Sequence, residues 1–101
     1  MGAIAAAALL HKEREIVASF RAAGATSAAN GKTSSALGIQ EGVAFERLRR
    51  RAVLRDATNG GLYLDEPSWE ALRVLRRRLA LILLGLALAV GLAALLLIGH
   101  S

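Results

Sequence analysis

Apolar residues along this chain fall first at helical spacing, then thin out, then flank a turn, and finally run unbroken from Leu79 to Gly99. Leu9, Ile16, Val17 and Phe20 recur at the period of a helix over 3–23, in an alanine-rich segment. Lys12, Glu13, Arg14, Glu15 and Arg21 are expected on its other faces, and Gly24 is its natural stop. Residues 26–36 are rich in Thr, Ser, Ala, Asn and Gly, which suits a loop or a weak short helix. Gly38 interrupts the chain again. A second helix is expected over 40–52, with Ala44, Phe45, Leu48 and Ala52 on one face. Val53-Leu54-Arg55 and Leu62-Tyr63-Leu64 then flank a turn containing Asn59-Gly60-Gly61, a β-hairpin signal. Asp65-Glu66-Pro67 opens a last helix, with Pro67 suited to its first turn. That helix carries Trp69, Leu72 and Leu75 and continues into the apolar run. The pattern makes Ile16, Phe20, Phe45, Leu48, Leu54, Leu62 and Leu64 the expected core.

The run 79–99 is 21 residues without a charged or hydrogen-bonding side chain. As a helix it would be about 31 Å long, the thickness of a bilayer's hydrocarbon core. Its ten Leu, two Ile and one Val outweigh its three Gly, at about −0.3 to −0.6 kcal/mol for each large aliphatic residue. The 78 residues before it are too few to wrap so apolar a helix, so a transmembrane span is expected. The chain then divides into a domain over 1–66, a basic juxtamembrane helix over 67–78, the span over 79–99 and a tail of His100 and Ser101.

Charge gives the span a direction. All thirteen Lys and Arg precede residue 79, and Arg73, Arg76, Arg77 and Arg78 stand on its flank. Positive flanks stay cytoplasmic. The expected topology has the N-terminus cytosolic and the C-terminus across the membrane, a tail-anchored layout, in what is expected to be a bacterial inner membrane. The same four arginines lie where anionic headgroups would be met. Trp69 would either touch that interface or pack on the domain. Within the span, Gly85, Ala89 and Ala93 fall four residues apart, and Ala87 and Gly91 form a second small pair. Such stripes let helices approach closely, for a partner helix or a second copy.

Gly2–Leu10 is apolar but lacks the basic n-region of a signal peptide, runs straight into His11-Lys12-Glu13-Arg14-Glu15, and is too short to span. Ala6 stands where myristoylation would want Ser or Thr. There is no Cys, hence no disulfide or thiolate site. His11 and His100 lie at opposite ends and neither has a nucleophile and carboxylate arranged around it. No ligand spacing suits a metal. Gly31-Lys32-Thr33 imitates the end of a phosphate-binding loop, but Thr26 stands where its first glycine belongs and no strand precedes it. No catalytic residue, metal or cofactor is expected, and the chain reads as non-enzymatic.

Three stretches carry a family resemblance. Leu37-Gly38-Ile39 looks like the turn before a recognition helix. Arg47-Leu48-Arg49-Arg50-Arg51-Ala52-Val53-Leu54-Arg55 looks like that helix running into a first wing strand. Gly60-Gly61-Leu62-Tyr63-Leu64 looks like a wing tip and returning strand. Residues of about 9–65 thus resemble a winged helix-turn-helix domain, although Gly38 to Leu48 is short for a turn and recognition helix. The fold class expected is mainly α with a small β-hairpin, a winged-helix-like domain plus one transmembrane helix. A small helical hairpin with an incidental turn is the alternative.

The resemblance implies DNA as one partner class. Gln40, Arg47, Arg49, Arg50 and Arg55 are the candidate contacts, and arginines supply phosphate affinity. Base reading normally uses the start of the recognition helix, here Gln40-Glu41-Gly42-Val43, which holds an acid and a glycine. The wing tip has an acid and no base. Arg49–Arg51 suit the negative end of the helix dipole instead. The favoured reading is a protein-interaction or assembly module held at the bilayer, with an unidentified protein or a second copy as partner. A membrane-tethered DNA-binding regulator is the second reading.

Overall fold

Three helices and one hairpin follow one another in the computed structural model, which describes residues 2–100: α1 (Gly2–Ala22), α2 (Val43–Arg50), β1 (Leu54–Asp56), β2 (Leu62–Leu64) and α3 (Glu66–Gly99). The chain is mainly helical and forms two compact units, with the boundary between Trp69 and Glu70.

In the N-terminal unit, α1 buries one face made by Glu13, Ile16, Val17 and Phe20. These positions follow the i, i+3, i+4, i+7 rule of an amphipathic helix. The expectation that Glu13 lies on an outer face is therefore corrected. It shares the core stripe and its side chain has no exposure to water. The helix stops at Gly24, in the left-handed region at φ +71°. There the Ala25 amide reaches back to the Phe20 carbonyl at 3.0 Å, a glycine-terminated cap.

Residues 26–36, expected as a loop or a weak short helix, form a loop that holds a bridge and the start of a hydrogen-bonded turn. Lys32 forms a two-way bridge with Leu62, each amide donating to the other's carbonyl at 2.8 Å. Thr33 Oγ1 then accepts from the Ala36 amide at 3.1 Å, and one helical turn follows. It closes at Gly38 (φ +68°) with the Ile39 amide on the Ser34 carbonyl at 2.9 Å. The residues that imitate a phosphate loop are thus a bridge and a cap.

The second helix is shorter than its periodicity suggested, 43–50 rather than 40–52. Gly42 is extended and caps its start, and the Gly42 amide binds the Gln40 carbonyl in a tight turn. At the other end Ala52 takes φ +59°, and the Val53 amide closes on the Leu48 carbonyl at 2.9 Å. Ala44, Phe45 and Leu48 form its buried face.

The hairpin is antiparallel, with Leu54 opposite Leu64, Arg55 opposite Tyr63 and Asp56 opposite Leu62. Backbones approach closely at its tip. A Cβ on Gly31 would stand 2.2 Å from Ala57 Cβ and 2.7 Å from Asn59 Oδ1. One on Gly61 would stand 2.8 Å from the Lys32 amide nitrogen. Gly31→Ala should therefore cost at least about 1–3 kcal/mol, the usual penalty for overpacking. The readout is the urea midpoint of the full chain in detergent micelles, followed by emission of Trp69, the single tryptophan. Gly42→Ala, where an added Cβ meets nothing within 4 Å, should move it little. Equal midpoints for both variants would refute the tight approach.

Phe20, Phe45, Leu48, Val53 and Leu64 are fully buried, with Ile16, Val17, Ala25, Ala44 and Leu54 around them. Of the seven residues expected in the core, only Leu62 keeps partial exposure. Trp69 is 5% exposed, so of its two expected roles it takes the one of packing on the domain. Asp65 caps α3 by accepting from the Ser68 hydroxyl, while its carbonyl takes the Trp69 amide at 3.1 Å. Pro67 lies in that first turn, where a missing amide costs nothing.

The C-terminal unit is the rest of α3. The helix continues without a break to Gly99, so the basic flank and the apolar run belong to one element. It is long and apolar enough to cross a membrane, with a mean hydropathy of 3.0 in a window that is 0% buried. Leu83, Leu88, Val90, Leu95 and Leu97 are each about two-thirds exposed or more. A water-soluble helix would not show leucine on every side.

Candidate membrane and partner surfaces

The five residues considered for nucleic acid come from the segment before α2, the last turn of α2 and β1. Gln40 precedes α2 instead of sitting in its first turn, because the helix begins at Val43. It lines a hollow of about 410 Å³ with Lys12, Glu15, Ser19 and Leu37. Arg47, Arg49 and Arg50 occupy the last turn of α2, and Arg55 lies on β1.

Most of these guanidinium groups are engaged within the domain. Arg47 Nε lies 3.4 Å from Glu13 Oε1, a pair half hidden on the arginine side and wholly buried on the glutamate side. Arg49 Nη2 is 3.5 Å from Asp56 Oδ1, so the acid at the end of β1 has an arginine beside it. Arg55 Nε donates to the Ala52 carbonyl at 3.2 Å and lies 3.7 Å from Asp65 Oδ2. Arg50 Nε points back at the Glu46 carbonyl at 3.5 Å. Arg51 caps the helix and stays exposed. Glu41 accepts from the buried Ser34 hydroxyl at 2.5 Å, which ties the single turn to the entry of α2.

Arg21 and Glu66 join the end of α1 to the start of α3. Arg21 donates through Nε at 3.2 and 3.3 Å and through Nη2 at 2.6 Å. These bonds hold the Glu66 carboxyl below its ordinary range and raise Arg21 further. A depressed carboxyl lends stability above its unfolded pKa and loses it as pH falls through the folded value. The pair is about half exposed, so solvent and salt weaken the effect.

A second hollow of about 480 Å³ adjoins the first and shares Lys12, Ile16 and Gln40 with it. Its walls are mostly apolar, from Ala5, Ala8 and Leu9 on α1 to Val43 and Phe45 on α2. Val43 is 65% exposed at its rim. Among the described residues no three His, Asp or Glu side chains gather as metal ligands do.

In the C-terminal unit Arg73, Arg76, Arg77 and Arg78 occupy the two turns before Leu79 on the same helix. Arg73 Nη1 lies 3.6 Å from Glu70 Oε2, both well exposed. Arg76 is half-buried, and Arg77 and Arg78 are exposed. Gly85, Ala89 and Ala93 lie on one exposed face, and a Cβ on Gly85 would meet nothing within 4 Å.

Sequence pattern does not mark the Glu13–Arg47 pair, the Lys32–Leu62 bridge or the paired hollows. Each joins segments far apart in the chain. The one available signal was the place of Glu13 in the 13, 16, 17, 20 stripe. Compared with known proteins, the chain matches no family model, no curated protein and no solved structure.

Proposed function

We propose that this is a single-pass membrane protein. In this reading it holds a small winged-helix-like domain at the cytosolic face, in a setting such as a bacterial inner membrane, as a non-enzymatic interaction or assembly module. The observation that carries the reading is the unbroken 34-residue α3, fully exposed along its apolar run and flanked on one side by four arginines. The helix, single turn, helix and hairpin order supports the winged-helix comparison, and the Lys32 bridge widens the hairpin as a wing's base would need. The engagement of Arg47, Arg49 and Arg55 within the domain favours a protein partner over nucleic acid. So does the apolar wall beside Val43.

Topology is the direct test. Protease added to sealed, right-side-out cells should leave residues 1–78 intact, because positive flanks are retained inside. Removal of that domain from outside would reverse the orientation.

The DNA-binding reading keeps one observation in its favour, the exposed Arg50 and Arg51. We expect the full chain in zwitterionic nanodiscs to bind duplex DNA weakly, without sequence preference, and with an affinity that salt removes. Fluorescence anisotropy measures this. A sub-micromolar complex at physiological salt that selects one sequence over random DNA would replace the module reading.

A further inference from the structure

We propose that Arg73, Arg76, Arg77 and Arg78 form a binding site for anionic phospholipids, through phosphodiesters that carry no compensating ammonium group. The proposal rests on the membrane-spanning reading and names one partner of that flank.

Position comes first. The four arginines and the apolar run share one uninterrupted helix, so their depth is set by the span. At about 1.5 Å per residue, Arg78 stands just outside the hydrocarbon core and Arg73 about 9 Å above it. The headgroup layer is about 5–8 Å thick on each side. Arg76, Arg77 and Arg78 fall inside it, and the long side chain of Arg73 reaches into it.

Charge is concentrated there too. Up to Trp69 the chain holds nine basic and seven acidic residues, and four of those acids, Glu13, Asp56, Asp65 and Glu66, sit beside the domain's own arginines. From Glu70 to Arg78 there are four arginines and one acid. Three of the five net positive charges thus lie in nine residues at the membrane surface. All four are Arg and none is Lys. A guanidinium offers two parallel donors that match a phosphate's oxygens, and it is less strongly hydrated than an ammonium. Phosphatidylcholine neutralises its phosphate with its own choline, whereas phosphatidylglycerol leaves that charge for the protein.

Each arginine engages its own headgroup. The expected preference for phosphatidylglycerol over phosphatidylcholine is therefore about fivefold at each contact, equivalent to about 1 kcal/mol per basic residue.

The test is spin-label lipid association with the full chain reconstituted in phosphatidylcholine vesicles. Trace spin-labelled phosphatidylglycerol or phosphatidylcholine reports the immobilised shell around the span. The wild type should immobilise the anionic probe more strongly, by less than about fivefold because shell sites without an arginine dilute the preference, and 1 M salt should reduce it. Replacing all four arginines with Gln should equalise the two probes, while a quadruple Lys variant should keep part of the preference. Equal association of both probes with the wild type overturns the proposal. So does a preference that survives in the Gln variant. If neither probe is immobilised, the span itself is refuted, and the proposal falls with it.

Discussion

Phe45→Ala is expected to lower the stability of the N-terminal unit by about 3–5 kcal/mol, the range for emptying a buried aromatic site. Phe45 has no exposure and is buried together with Phe20, Leu48 and Leu64 in a unit that ends at Trp69. The chain has only two phenylalanines, and both are in this core. A domain this small has a total stability of only a few kcal/mol, so the variant should be largely unfolded without denaturant. Trp69 reports the change, because it is 5% exposed in the native state and would meet water on unfolding. The measurement is a urea titration of the full chain in detergent micelles. Val43→Ala tests the same helix at a position that is 65% exposed, and should stay within about 0.5 kcal/mol of the wild type. An unchanged midpoint for Phe45→Ala would remove that ring from the core.

That core was legible because its large apolar residues fall at periods that name their elements. Ile16, Val17 and Phe20 mark α1, and Ala44, Phe45 and Leu48 mark α2. The hairpin followed from Asn59-Gly60-Gly61, where Gly60 does take a positive φ of 89°. Element ends were harder. Local pattern extended α2 back to Gln40, but backbone hydrogen bonding begins the helix only after Gly42. Ala52 was read as helical and instead adopts the left-handed cap, a conformation the sequence marks only when the residue is glycine.

The candidate membrane-spanning helix was the plainest feature, since bilayer thickness translates directly into residue count. The packing stripe within it was not. In a helix of Leu, Ala and Gly, small residues recur at four-residue spacing from composition alone. The open face at Gly85, Ala89 and Ala93 does not change that.

The arginines divide into two groups that composition treats as one. Those of α2 and β1 lie beside acids brought close by folding, and the two partners of Arg47 and Arg49 are distant or across a turn. Those of α3 stand on a helix whose acids are nearly absent. A count of basic residues merges these groups, and a DNA-binding expectation follows from the merged count. Tertiary pairing separates them, since Arg47 and Arg49 lie beside acids from other elements whereas Arg73 lies beside Glu70 of its own helix.

Arg47 gives the sharpest test of that division, and Arg47→Met should destabilise the domain by about 3 kcal/mol. Its guanidinium lies 3.4 Å from Glu13 Oε1, and the Glu13 side chain has no exposure. Removing the cation takes away the charge that offsets a buried carboxylate, which typically costs about 3–5 kcal/mol. Arg47 keeps 32% exposure, which places its loss at the lower end. Glu13→Leu alone should cost less, because the freed guanidinium can turn to water. The double variant Glu13→Leu/Arg47→Met should recover most of the loss, since an apolar pair of similar volume replaces a buried ion pair at little cost. Arg50→Met on the same turn is exposed and should stay within about 0.5 kcal/mol. Urea midpoints from Trp69 emission compare all four. If Arg47→Met matched Arg50→Met, the buried pair would carry no stability, and Arg47 would return to the set of residues available to a phosphate backbone.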